Sequence, residues 1–240
     1  MRHGFPRRVG AAVLTAAVLA TSTAPTPAAA DGGTTAPDTE VAASMTLGTA
    51  AACSTGPYQN QVEAYLRLPV DGVNDDEDCE AIQRFQRRYA ISPAAGYAGR
   101  VTYGLVKRFQ LAKTRLDICT VRRKVVCVDL TSQVMWIAED GKRTSRLQPV
   151  RSGRDGYETR RGLFDIYYKN IDHVSSIYGS PMPYAMFFSG GQAFHSSDRY
   201  LYDEPGSHGC VHVNLKAIAR LWEIMPVGTK VHVFGRKPGT

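Results

Sequence analysis

Near Cys119 the spacing of apolar residues changes from that of helices to that of strands. Upstream, Val62, Tyr65 and Leu66, then Ile82, Phe85 and Tyr89, then Leu105, Val106 and Phe109 recur every three or four positions. That is the stripe an amphipathic helix buries. Pro69 and Gly72 in "PVDGV" and the Pro93–Gly99 stretch interrupt it, so three short helices are predicted between Tyr58 and Leu111. Downstream the period is two. "KVVCVDL" and "QVMWIA" alternate, Asp140-Gly141 in "EDGK" supplies a hairpin turn, and "TSRLQPV" continues as a partner strand. Further strands are predicted at "LFDIYY", "AMFF", "QAFH" and "KVHVF". One helix interrupts them at "NLKAIARLWEIMP", with Asn214 placed to cap it, Leu215, Ile218, Trp222 and Met225 on one face, and Pro226 ending it. The expected fold class is α+β: a small three-helix domain over 56–115, then a mostly β domain over 119–236, a curved sheet or sandwich with one main helix after Cys210.

Before the first helix the chain carries a different signal. Arg2, Arg7 and Arg8 precede the apolar run "VGAAVLTAAVLA", which gives way to small residues ending at Ala30. This is the layout of a cleaved signal peptide over 1–30, and residues 31–55, small and polar without a period, read as a flexible linker. The mature form is therefore expected to be secreted or attached to the cell envelope, and no interior run is long enough to span a membrane. Of 29 basic residues three lie in 1–30, leaving 26 against 22 acidic ones. The surplus is mild and scattered among acids, so no nucleic-acid partner is expected.

Export places five cysteines, Cys53, Cys79, Cys119, Cys127 and Cys210, in an oxidising compartment. The number is odd. Four cysteines allow three connectivities; proximity favours Cys53 with Cys79 and Cys119 with Cys127, each closing a short loop for about 2–3 kcal/mol. Cys210 is then left free.

Cys210 lies in "GGQAFHSSDRYLYDEPGSHGCVHVN", the most glycine- and histidine-rich stretch of the chain. A thiolate is the reactive form of cysteine, and a nearby histidine or a helix N-terminus favours it. Gly209 lets backbone approach a substrate, and successive N–H groups of such a turn can face a developing oxyanion. His195 and His208 are both candidate bases; spacing alone does not choose between them.

The set "AFHS" at 193–196 followed by "SHGCVH" at 207–212 resembles the signature of the L,D-transpeptidase catalytic domain, the YkuD-type fold. The likeness extends over 122–235 through "VDLTSQVMWIAEDGK", the "PV…SG" segment at 149–153, "TRRGLF", "GSPMPYAMFF" and "MPVGTKVHVF". It implies that Cys210 is the acyl-accepting nucleophile and His195 its general base and later acid. Ser196 helps orient the base, Ser207, His208 and Gly209 shape the nucleophile turn and its oxyanion donors, and Tyr184 lines the substrate pocket. His212 stands where the family most often has arginine or asparagine, which implies a different substrate contact or one that depends on protonation. Arg160 replaces a common proline, and His173 and His232 read as surface or strand histidines. Upstream, "QVEAYLRL…DGV…CEAIQRFQRRYAIS…GYAGRVTYGLV" resembles the peptidoglycan-binding domain family, with "NDDEDCEA" in place of its usual glycine-containing turn.

Together these resemblances imply 3→3 cross-linking of peptidoglycan tetrapeptide stems with release of D-alanine. The expected partner is the stem peptide, with no cofactor, no metal and a monomeric enzyme. Three other readings use the same residues: an L,D-carboxypeptidase with water as acceptor, a non-catalytic wall-binding protein, and a metal site built from His195, His208, Cys210 and His212.

Overall fold

The structure is a computed structural model that describes residues 52–240. The expected signal peptide and most of the expected linker lie outside the described residues. Among the described residues no helix is long and apolar enough to cross a membrane.

Three helices come first: α1 (Gln59–Leu66), α2 (Asp76–Arg88) and α3 (Arg100–Lys113). The "NDDED" segment starts α2. Asp75 Oδ1 accepts the Asp78 N–H at 2.9 Å, acids fill the first turn, and Arg87 and Arg88 fill the last, complementing the helix dipole. The predicted stripes converge, with Val62, Ile82, Phe85, Leu105, Val106 and Phe109 buried in one cluster. A short 3₁₀ turn (Leu116–Ile118) leads into the strands.

The strands are β1 (Lys124–Asp129), β2 (Val134–Glu139), β3 (Lys142–Arg143), β4 (Gln148–Pro149), β5 (Gly162–Asp165), β6 (Tyr168–Val174), β7 (Pro181–Ser189), β8 (Gln192–His195), β9 (Val211–His212) and β10 (Lys230–Phe234); α4 (Leu215–Ile224) lies between the last two. They form two sheets. The first runs β3-β2-β1-β10-β5, with β4 also on β2, and the second runs β6-β7-β8-β9. The first sheet is covered on both faces. Val125 and Cys127 of β1 face the helices, while Val126 and Val128 join Met186, Phe188 and Phe194 of the second sheet and Ile218 of α4. Burial on both faces explains why β1 is apolar almost throughout. Disulfides join Cys53 to Cys79 and Cys119 to Cys127, and Cys210 is free.

The α+β class is as expected, and the local differences have physical causes. Asp140 and Gly141 make the hairpin turn with positive φ, yet the partner strand is split into β3 and β4. Ser145 Oγ accepts the Ile137 N–H at 2.7 Å, so a hydroxyl replaces the next ladder carbonyl. β6 is an edge strand without a buried alternation, and so left no period-two signal. In α4, Asn214 Oδ1 caps the Ala217 N–H at 2.9 Å and Ile218, Leu221 and Met225 are buried, but Leu215, expected on the same face, is exposed.

The helices are tied to the rest by polar contacts. Arg108 of α3 donates to the carbonyls of Ser132 (3.1 Å), Val150 (2.5 Å) and Gln133. Tyr202 donates its hydroxyl to Tyr89 O at 2.5 Å, and Tyr200 accepts the Ser92 N–H at 3.2 Å. Both tyrosines belong to the loop between β8 and β9, so the helical region braces the segment that links His195 to Cys210.

Candidate active site

β8 and β9 are parallel neighbours, with Phe194 opposite Val211 and His195 opposite His212. Side chains alternate along them. Phe194 and Val211 enter the core between the sheets, which leaves Ala193, His195, Cys210 and His212 on the outer face. There Cys210 packs against a small cluster of Met182, Ala185, Phe187 and Ala193.

The turn before Cys210 is held from two sides. Ser207 Oγ accepts the Gly209 N–H at 3.1 Å and donates to Cys210 O at 2.5 Å. The Ser207 N–H donates to Ser152 O, and the Arg154 N–H to Ser207 O, each at 3.0 Å. Thr159 Oγ1 donates to Gly209 O at 2.9 Å and accepts the Gly153 N–H at 3.0 Å. Gly209 has φ +108°, and a Cβ there would lie 2.5 Å from Gln192 Nε2. That amide cannot yield, because Nε2 donates to Glu158 O and Oε1 accepts the Arg160 N–H, both at 2.9 Å. Only glycine fits this position.

His195 is buried and its Nδ1–H donates to Ser196 O at 2.6 Å. This leaves the Nε2 lone pair as the basic one. Burial, opposed by that hydrogen bond and joined by the charges of Arg151 and His173, brings the His195 pKa down to about 4. Burial pushes the Cys210 thiol up, while the Ala193 N–H pulls the other way. Cys210 Sγ donates to Gly191 O at 3.8 Å rather than to an imidazole. Both shifts favour the uncharged forms, thiol and imidazole.

The other expected residues fall as follows. Ser196, through its carbonyl, holds the His195 ring. His208 is exposed; its Nε2 accepts from Arg154 at 2.7 Å and its ring stacks on Tyr178. His212 is buried beside His195, with ring centroids 4.5 Å apart. Its Nδ1 accepts from Arg151 Nη2 at 2.8 Å, and burial followed by the charges of His195, Arg151, Arg199 and His208 lowers its pKa strongly. Tyr184 lies on β7 with φ +58° and packs on Trp222 of α4, against the core between the sheets. Nor do His195, His208, Cys210 and His212 gather three ligand atoms at one point among the described residues, so that metal reading is not built.

Sequence reasoning missed Arg151 and His173. Arg151 lies inside the quoted "PV…SG" segment, but only the fold shows it bridged to His212, backbone to backbone and side chain to side chain. His173 looked like a strand histidine, and it does lie on β6, with its ring 5.0 Å from Phe187 on the Cys210 face. The fold also gathers charge that looked scattered. Arg84, Arg87, Arg88, Arg146, Lys216 and Arg220 line a groove of about 550 Å³ between α2 and α4. A smaller pocket of about 230 Å³ beside it includes Ser196, Arg199 and His212.

Two sheets around one core, with a cysteine and a histidine on one face of adjoining parallel strands, define an α+β enzyme class built for thiol chemistry. The L,D-transpeptidase catalytic domain (YkuD) family model matches residues 123–233. A crystal structure of an L,D-transpeptidase (Yku) from Stackebrandtia nassauensis is similar at 39% identity and a TM-score of 0.73, covering 78% of this chain and 95% of that one. An L,D-transpeptidase from Xylanimonas cellulosilytica matches at 30% identity over 77% of this chain and 96% of that one, with a TM-score of 0.47. No curated protein matches the chain. The chain belongs to the L,D-transpeptidase family.

Proposed function

We propose that this enzyme is exported and forms 3→3 cross-links between peptidoglycan tetrapeptide stems through a thioester on Cys210. The reading rests on a free thiol, a buried imidazole with a fixed tautomer and a glycine turn, all carried by β8 and the segment that enters β9. Two disulfides beside one free cysteine support an oxidising location and a thiol kept for use.

The steps follow from the protonation states. As Cys210 Sγ attacks the carbonyl between the third and fourth stem residues, His195 Nε2 takes the thiol proton. Attack and proton transfer are coupled, because burial disfavours a free thiolate. The Gly209 N–H is occupied by Ser207, so the N–H groups of His208 and Cys210 are the donors this turn has left for the oxyanion. Imidazolium then protonates the leaving amine of D-alanine, and the C–N bond breaks to give the thioester. An amine from a second stem attacks it, His195 accepts the amine's proton, and collapse returns the thiol. One amide replaces another, so the exchange is close to isoenergetic. Ser196 O stabilises the imidazolium that forms twice in each cycle.

Within this reading the helical region, peptidoglycan-binding-like by resemblance, braces the β8–β9 loop through Tyr200 and Tyr202. The test is incubation of the mature chain with disaccharide-tetrapeptide, with products analysed by mass spectrometry. Cross-linked dimer should form, and Cys210→Ala should reduce it on the order of 10³-fold or more. The variant should also fail to form the thioester with a carbapenem. Cross-linking by Cys210→Ala at the parent rate would refute the assignment, and trimmed tripeptide without dimer would replace transfer with hydrolysis.

A further inference from the structure

The end of α1, the loop after it and the start of α2 bring three carboxylates together. Ligand oxygens of Glu63, Asp71 and Asp78 lie within 4.8 Å of one another. Two of the three are out of water, with Glu63 0% and Asp78 3% exposed. Glu63 Oε2 accepts the Gly72 N–H at 3.1 Å, but Oε1, equally buried, has no hydrogen-bond partner. A buried carboxylate oxygen left without a partner is costly, and like charges beside it add to the cost. Among the described residues no lysine or arginine forms an ion pair with any of the three.

The surrounding loop is already ordered. Asp71 Oδ1 accepts the Val73 N–H at 2.8 Å, and Asn74 Nδ2 donates to Ser54 O at 3.1 Å and Gly96 O at 2.9 Å. The Cys53–Cys79 disulfide holds the residue after Asp78. We propose that Glu63, Asp71 and Asp78 form a structural calcium site that joins α1 to α2. A hard, oxygen-only donor set selects Ca²⁺ or Mg²⁺ over softer ions. Of the two, calcium is favoured, because it accepts several carboxylates in flexible geometry, whereas magnesium dehydrates reluctantly and keeps most of its waters beside one or two carboxylates. Exposed Asp71 supplies the entry path, and water completes the coordination. The sequence reading expected no metal, because exchanging one amide for another needs none, and Glu63, Asp71 and Asp78 are brought together only by the fold. This site acts on stability, not on the acyl transfer proposed above.

Chelator-treated mature protein is titrated with CaCl₂, and in parallel with MgCl₂, by calorimetry and thermal unfolding at constant ionic strength. Calcium should bind with one site per chain, at a Kd of about 10⁻³ M or tighter, and raise Tm by about 3 °C or more at saturation. Asp71→Asn, at an exposed position that leaves the fold intact, should weaken binding at least tenfold, with Tm in chelator no lower than the parent's. Glu63→Gln, which keeps the shape but not the charge, should do the same. No heat and no Tm shift up to about 10 mM calcium, an undiminished shift in Asp71→Asn, or an equal response to magnesium would each overturn the calcium site.

Discussion

Arg151 is 3% exposed, and its Nε has no hydrogen-bond partner. One Nη of the same guanidinium donates to His212, whose ring adjoins that of His195. An arginine is always a donor, so the contact fixes His212 as the Nε2–H tautomer. Its charge also opposes protonation of both histidines. Removing it should raise both pKa values. In Arg151→Gln the acid limb of carbapenem acylation, set near pH 4 by the need for neutral His195, should move to higher pH, while Arg151→Lys should hold it nearer the parent. A pH profile identical in all three proteins would reduce Arg151 to packing. The sequence displayed Cys210, His195 and Gly209 because their chemistry and spacing are local. It concealed Arg151, whose partner lies 61 residues away, and the packing of Tyr184 on Trp222 of α4.

Periodicity located α1 to α3, α4 and the central strands, because each buries a regular stripe or alternates about a covered sheet. It did not show β6, an edge strand, or β9, two residues long, whose existence depends on their neighbours. The elements that carry the site depend on a few polar contacts. Asn214→Ala removes the cap of α4, the helix that follows the nucleophile strand directly, and should lower stability by about 1 kcal/mol in urea unfolding. Tyr202→Phe removes the hydroxyl bonded to Tyr89 O and should cost a similar amount. It should also slow acylation of Cys210 if the helices brace the β8–β9 loop. Loss of stability with an unchanged acylation rate would separate the helices from the chemistry.

For the molecule as a whole, two buried neutral histidines tie stability to pH. The folded pKa of His195, about 4, lies below the unfolded value of about 6.5, so the unfolded chain binds more protons between them. Stability from this group is complete above pH 6.5 and falls with acid, by about 3 kcal/mol at pH 4. Urea unfolding at pH 7 and pH 4.5 should show the loss, and His195→Asn should diminish it; a parent equally stable at both would contradict the burial. The cysteine pairing and the order of helices before strands are written in the sequence, because loop length and hydrophobic period are properties of neighbouring residues. The fold alone decided that six cations line one groove, that three carboxylates from two helices and a loop converge, and that Arg151 stands behind His212. Each of these is a meeting of distant segments driven by packing of apolar faces, and the polar groups carried along leave no periodic trace in the chain.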